Sequence, residues 1–431
     1  MNLSRSAIVL ILLMAATSFA QQNDVGKLLQ ESAALIQAGK FTDAEPVLRK
    51  TTKIAPANAD AHNLLGIVLD QLGKTVEAER EYRAGIRLNP KAVSPRANLG
   101  VLLARTKRQA EAVQIFESVL KLNSNHPQTI INLGLLYVSI KNFKAAVDLL
   151  KRAVDMQPSS SDLKLNLGIA LYQTNNLDAA ERAFLGTILL SEASAEPVYY
   201  LGLIALNRNQ DENAEAYFKK AIEFEPNNVS ANFMLGELFA KYQRYADAKP
   251  FYEKALEMDK SKPVHYIRLG GMYIYLSDFN AAFQIFQKAS KSFPNIPEIH
   301  YFLAITARAK SDSGLAIDEV KRSLALKETV DSNALLGSIL SDRNENSEAE
   351  KFLRKAILLN SGHFNSNHDL GRLLVRQKKF TAALPFLKKA SSLMPENPDV
   401  HYELFLAYSR LKQKNEADRE LAFFKELSNR K

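Results

Sequence analysis

The 431-residue chain contains no cysteine and no tryptophan. Without thiols there are no disulfides, thiolate zinc ligands, c-type haem attachment sites or cysteine nucleophiles. P-loop, GxSxG, HExxH and dinucleotide-binding fingerprints are also missing. No catalytic residue and no cofactor is therefore expected. Histidine is scarce, and the only close pair, His363 and His368, is five apart. Ligands on one helix face stand three or four apart, so no metal site is expected either. Acid is in deficit, with 47 Asp and Glu against 56 Lys and Arg and a net charge of +9. That balance admits nucleic acid, anionic glycan or a membrane surface as partner and selects none of them. Beyond the first twenty residues no apolar run approaches the roughly 20 residues that a transmembrane helix needs.

What is present begins with "MNLSRSAIVLILLMAATSFA". Arg5 precedes an apolar run from Ala7 to Ala16, and Ser18 and Ala20 put small side chains at −3 and −1 of a cleavage site before Gln21. This is the plan of a secretory signal peptide over residues 1–20. The run is too short to stay in the bilayer, and no cysteine follows to take a lipid. The mature chain is expected to be exported to a periplasmic or extracellular space, with no stable membrane insertion after cleavage. An exported chain is not expected to meet nucleic acid.

The rest of the chain is periodic. Gly66, Gly100, Gly134, Gly168, Gly202, Gly236 and Gly270 stand 34 residues apart. Ala304 takes the next place, and Gly337 and Gly371 follow after one copy of 33 residues. A leucine precedes that place from Leu65 to Leu404, and an alanine follows twelve residues later in all twelve copies, from Ala44 to Ala417. Pro56, Pro90, Pro158, Pro226, Pro294 and Pro395 close many copies. A fixed period of this size means a solenoid. Each copy holds two apolar runs at helical spacing split by a polar turn, as in "TIINLGLLYVSI" and "FKAAVDLLKRAVDM". Glycine inside a helix costs about 1 kcal/mol against alanine. Its recurrence predicts a close packing contact, with the alanine of the second helix as the facing surface. No glycine here belongs to a phosphate-binding loop.

These positions resemble the tetratricopeptide repeat, whose 34-residue helix–turn–helix carries Gly, Ala and Pro in the same places. The resemblance covers residues 25–431, with copies beginning at Val25, Ala59, Val93, Pro127, Ser161, Ala195, Val229, Pro263, Pro297, Val330, Phe364 and Pro398. It implies an all-α fold, an α-solenoid forming a right-handed superhelix of about twelve helix–turn–helix repeats. The early tryptophan of the family is replaced by His62, Tyr266, His300, His401 and others. Ala304 and Phe405 stand for glycine in copies nine and twelve, where looser packing is expected. With the repeats running from the signal segment to Lys431, no stretch is expected to hold a catalytic domain, and the chain is read as a non-catalytic scaffold.

In the resembled family the first helices line a concave groove that takes protein or peptide partners, through places 2, 5, 6, 9, 12 and 13 of each copy. Asn98, Asn132 and Asn166 occupy place 6. Each amide can both donate and accept, which suits a peptide backbone. The row resembles the asparagine ladder of O-linked N-acetylglucosamine transferases, and no transferase domain is expected in residues 25–431. Tyr199, Phe233 and Tyr301 hold place 5 further along, and Arg308, Arg372, Arg376 and Arg410 add charge at groove places. The candidate partner-binding residues are thus Asn98, Asn132, Asn166, Tyr199, Phe233, Tyr301, Arg372 and Arg376. The carboxylate-clamp pattern of the family is not reproduced. Basic residues also recur on the second helices, including Arg49, Arg83, Lys151, Lys219, Lys254, Lys288, Lys321, Arg354 and Lys388. They define a second reading, an adaptor for an anionic glycan or surface polymer.

Overall fold

A computed structural model describes residues 24–191 and 193–430. The expected signal segment, residues 1–20, lies outside the described residues. The chain divides into two compact units, one up to Tyr217 and one from Phe218. Among the described residues there are twenty-four helices and no strand. No described helix is long and apolar enough to cross a membrane.

In the first unit the helices are α1 (24–37), α2 (Phe41–Ile54), α3 (Ala59–Gln71), α4 (Thr75–Leu88), α5 (Ser94–Arg105), α6 (Gln109–Leu122), α7 (Pro127–Ser139), α8 (Phe143–Met156), α9 (Ser161–Gln173), α10 (Leu177–Ile188) and α11 (Ala195–Asn207). The division falls within α12 (Asp211–Phe224). The second unit continues with α13 (Val229–Lys241), α14 (Tyr245–Met258), α15 (Pro263–Tyr275), α16 (Phe279–Ser292), α17 (Pro297–Ala309), α18 (Ser313–Leu326), α19 (Val330–Asp342), α20 (Asn346–Leu359), α21 (Phe364–Arg376), α22 (Phe380–Leu393), α23 (Pro398–Arg410) and α24 (Lys414–Ser428). Odd-numbered helices are the first of each copy, and the boundaries follow the 34-residue register.

Local chemistry sets these boundaries. Asn58, Ser160, Asn228, Thr329 and Asn397 accept from backbone N–H groups at the starts of first helices, which satisfies donors that a helix leaves open. Asp60, Asp162, Glu196, Glu298 and Asp399 sit in first turns, where the helix dipole favours negative charge. Between the two helices of every copy, one residue turns left-handed. Gly39 and Gly73 do so at φ 70° and 74°, and Lys, Asn, Gln or Ser does so in the other ten copies at φ 57–64°.

The repeating core has a different contact from the one expected. The alanine of the second helix is buried in every copy, but it does not face the glycine. A large side chain four residues further on does. A Cβ built on Gly66 would lie 2.6 Å from the Tyr82 ring, and one on Gly168 2.6 Å from the Phe184 ring. Gly100, Gly270 and Gly371 meet Phe116, Phe286 and Leu387 in the same way. The glycine thus leaves room for an aromatic or leucine side chain, not for close approach of two backbones. In copy nine the corresponding residues are Ala304 and Val320, and both are fully buried in one core cluster. The expected loosening of copy nine is not found. In copy twelve α24 packs along α23 and Phe405 is half-buried against the core, while Ala417 is the one buried residue of α24.

Within each unit the first helices touch one another, from α3 through α11 and from α15 through α23. No pair of successive second helices makes a comparable contact among the described residues. The first helices therefore occupy the inner side of each stack.

Candidate groove site on the first helices

A helix repeats a face every three or four residues, so places 2, 5, 6, 9 and 12 of a first helix form one surface. In the second unit three such surfaces meet around a cavity of about 410 Å³. α17 supplies Tyr301, Ile305 and Arg308; α19 supplies Asp331, Ala334, Leu335 and Ser338; α21 supplies Asn365, His368, Asp369 and Arg372, with His363 at its start. A smaller cavity of about 160 Å³ lies against Tyr301 and Asp331, where the α18–α19 connection is short. That connection, Lys327–Thr329, is where the 34-residue period loses one residue.

Charge in the larger cavity is internally paired. Arg308 Nη2 donates to Asp342 Oδ2 at 2.6 Å and to Ser338 Oγ at 3.1 Å. Arg372 Nη2 lies 3.4 Å from Asp369 Oδ1 and 3.8 Å from Asp342 Oδ1. Asp342 thus stands between two guanidiniums. His363 Nε2 is 3.2 Å from Asp331 Oδ1. His368 stacks on Phe364 at 5.7 Å and turns Nδ1 toward Asp369 Oδ1 at 3.9 Å. Burial lowers the pKa of His368, Arg372 adds to that, and Asp369 and Asp399 oppose it. Burial pushes the Tyr301 hydroxyl up to about 12, helped by Asp331. On α23, burial raises Glu403 against the pull of Arg372 and Arg376. Among the residues of this wall, His368 Nε2 and Arg372 Nε are buried from solvent with no hydrogen-bond partner.

The other candidates fall elsewhere. Tyr301 and Arg372 are in the cavity wall. Arg376 reaches back from α21 to α19, with Nη1 3.5 Å from the Ser341 carbonyl and hydroxyl oxygens. Phe233 packs against Tyr252 at 5.7 Å and His265 at 5.2 Å. In the first unit Tyr199 stands edge-on to Tyr200, which stacks on Phe184. Asn98 donates to Asn63 at 3.0 Å across two copies. Asn132 accepts from Gln128 on its own helix, and Asn166 donates to the Asp162 carbonyl. Asn132 also lines a cavity of about 390 Å³ with Val101, Arg105 and Leu135. Asn98, Asn132, Asn166 and Tyr199 therefore belong to one unit, and Phe233, Tyr301, Arg372 and Arg376 to the other.

Sequence reading missed Asp331, His368 and Asp369 as groove residues. Their place numbers, 2, 5 and 6, were the available signal. The early-tryptophan place also has a structural use. His62, His300 and His401 each turn Nδ1 to a glutamate of the second helix, Glu81, Glu319 or Glu420, at 2.5–2.6 Å. Each turns Nε2 to the carbonyl of the preceding copy's proline at 2.9–3.0 Å. On the second helices much of the basic row is compensated. Arg49 pairs with Glu45 and Glu77, Arg83 with Glu79 and Glu111, Arg354 with Glu350, and Lys355 with Glu328.

Paired helices in register define a helical-repeat architecture. Tetratricopeptide repeat models match residues 29–93, 72–127, 131–197, 199–263, 330–363 and 374–422. The chain belongs to the tetratricopeptide repeat family, whose members are generally non-catalytic scaffolds, and its repeats support a protein-interaction scaffold. No curated protein matches it. Among solved structures it is similar to the Cut9–Hcn1 hetero-tetramer of the APC/C at 14% identity, over 87% of this chain and 95% of that one, with a TM-score of 0.45. Yeast Tom70 is similar at 17% identity over 92% and 97%, TM-score 0.38. So is the C-terminal part of a TPR repeat-containing protein from Cytophaga hutchinsonii, at 16% identity over 56% and 98%, TM-score 0.46.

Proposed function

We propose that this scaffold holds an extended or helical segment of another protein on the inner surface of its first helices, and that it does so after export. The observation that carries the groove reading is the 410 Å³ cavity. Every side chain around it comes from a first helix or the residue that starts one. Export rests on the pattern of Arg5, Ala7–Ala16 and Ser18–Ala20. N-terminal sequencing of the native protein is expected to return Gln21; Met1 would refute it. The polymer-adaptor reading is weaker because the paired carboxylates cancel much of the basic row.

The groove reading is tested with a partner captured by crosslinking in the native host and titrated against variants. Tyr199→Ala and Tyr301→Ala are each expected to weaken binding by about 2 kcal/mol, and Asn132→Ala by about 0.5–1.5 kcal/mol. Lys219→Glu with Lys220→Glu is expected to leave binding unchanged. Loss of binding with the lysine reversals alone would move the site to the second helices and restore the polymer adaptor.

A further inference from the structure

In the first unit, place 9 of the first helices is aliphatic in five successive copies, as Ile67, Val101, Leu135, Ile169 and Leu203. All five keep accessible surface, and Val101 is 39% exposed. Val101 and Leu135 line the cavity of about 390 Å³ with Ala104, Asn132 and Ser139, which are groove places as well. A second row lies beside the first at place 12, in Ala104, Val138, Tyr172 and Leu206, and it too is accessible. The second unit does not repeat this pattern, since its place 9 includes Glu237, Ser338 and Arg372.

The spacing of these rows selects a ligand conformation. Successive first helices touch from α3 to α11, and packed helices lie about 8–10 Å apart, which sets the step from one copy to the next. Seven residues of α-helix advance about 10.5 Å. A partner helix therefore meets each copy with residues seven apart. Its apolar stripe is wide enough to cover places 9 and 12 together. A β-strand repeats a face every two residues, about 6.7 Å, and falls out of step. Three residues of polyproline II match the step at about 9.3 Å, but its edge is one residue wide and leaves one row uncovered. The two rims differ in sign. Exposed Asp60, Asp162 and Glu196 stand at place 2, where first helices begin. Exposed Lys107 and Lys141 stand in the turns after α5 and α7. Between the rims Asp70 is paired with Arg105.

We infer that the inner face of α5, α7, α9 and α11 docks an amphipathic helix of about three heptads, with aliphatic side chains seven residues apart. Basic residues flank its stripe on the side of Asp162, and acidic residues on the side of Lys107 and Lys141. This rests on the groove reading above and chooses the helical segment over the extended one for the first unit.

The test is fluorescence anisotropy with the full chain and labelled peptides. The first peptide has three heptads with leucine at the a and d positions, lysine on one flank and glutamate on the other. A second has the same composition with its leucines five residues apart, a third has glutamate on both flanks, and a fourth is a Leu-Pro-Pro repeat. The first is expected to bind at least ten-fold tighter than the second and fourth, and at least three-fold tighter than the third. Val101→Glu and Leu203→Asn are each expected to weaken it at least five-fold, with melting curves showing that both variants fold. Leu185→Glu, exposed on the second helix α10, is expected to leave it unchanged. Equal binding of the respaced peptide, tighter binding of the Leu-Pro-Pro repeat, or an affinity unchanged by Val101→Glu would overturn the inference. Such a failure with a native partner still weakened by Tyr199→Ala would leave the groove reading standing. A native partner indifferent to both Tyr199→Ala and Tyr301→Ala would reject the groove reading, and this inference with it.

Discussion

Copies eight and nine are neighbours in one unit, and they fill the same space with different atoms. In copy eight Gly270 leaves room for the Phe286 ring. In copy nine the same places hold Ala304 and Val320, both fully buried in one core cluster. Copy eight places Tyr266 at the early-tryptophan position, edge-on to Phe293 at 5.6 Å. Copy nine places His300 there, held between Glu319 and the Pro294 carbonyl. The family pattern therefore prescribes a volume and an anchor, not particular residues. A substitution that looks like a defect in one column of the repeat is balanced in another.

The largest effect is expected where the anchor is a buried histidine–carboxylate contact. His300 and Glu319 are both almost fully buried, and Arg322 also pairs with Glu319. Breaking a buried pair by removing one partner costs about 3–5 kcal/mol. His300→Leu is expected at the low end, because Arg322 remains, and Tyr266→Leu is expected to cost less. Adding Glu319→Leu to His300→Leu should recover at least half of the loss. Urea melts of the four proteins check this, and equal costs for His300→Leu and Tyr266→Leu would make the two anchors equivalent.

Next in size is the conversion of copy eight into copy nine. Gly270→Ala forces a methyl into the Phe286 ring and is expected to cost about 1–3 kcal/mol. Phe286→Val alone leaves a cavity and should cost about 2–3 kcal/mol, somewhat below full truncation to alanine. The double variant should fall short of the sum by about 1 kcal/mol or more. Strict additivity would show that the two positions do not share one volume.

A smaller effect concerns pH. The folded pKa of His368 is lowered, chiefly by burial, below an unfolded value near 6.5. As pH falls beneath about 6.5, the unfolded chain takes up this proton before the folded one. The stability tied to neutral His368 is thus complete above that pH and lost below it. His368→Phe should flatten the stability profile between about pH 6.5 and 5, measured by melts across that range. An unchanged slope would assign the loss to other groups.

The smallest effect lies in the turns. Ser277 and Ser311 hold left-handed conformations at φ 60° and 63° in copies eight and nine. A non-glycine residue there carries about 1–2 kcal/mol of local strain, offset in glycine by its greater unfolded freedom. Ser277→Gly and Ser311→Gly should each stabilise by about 0.5–1 kcal/mol, and by similar amounts, because the turns are alike in the two copies.

Much of this architecture was readable from periodicity. The spacing of Gly66 through Gly371, the recurrent alanine and the closing prolines place every helix pair. Three things were not readable. The facing partner of the glycine is a side chain whose identity varies from Tyr82 to Leu150 to Val320, so no fixed letter marks it. The left-handed turn residue is glycine only twice, and Lys107 or Asn175 in the same place carries no such label. The cavity of copies nine to eleven needs three helices at once. Tyr301 and Arg372 could be chosen by place number, whereas the link from Arg372 to Arg308 through Asp342 could not. Basic residues of the second helices looked like a charged stripe because their carboxylate partners, such as Glu77 for Arg49, lie 28 residues away.

The account turns on which helices meet the partner, and site-specific photo-crosslinking reads that directly. A benzophenone side chain is placed in turn at Asn365, exposed at the cavity rim on α21, and at Lys321, exposed on the second helix α18. In the native host the expected result is a discrete crosslinked partner from Asn365 and none from Lys321. A partner captured from Lys321 and not from Asn365 would contradict it.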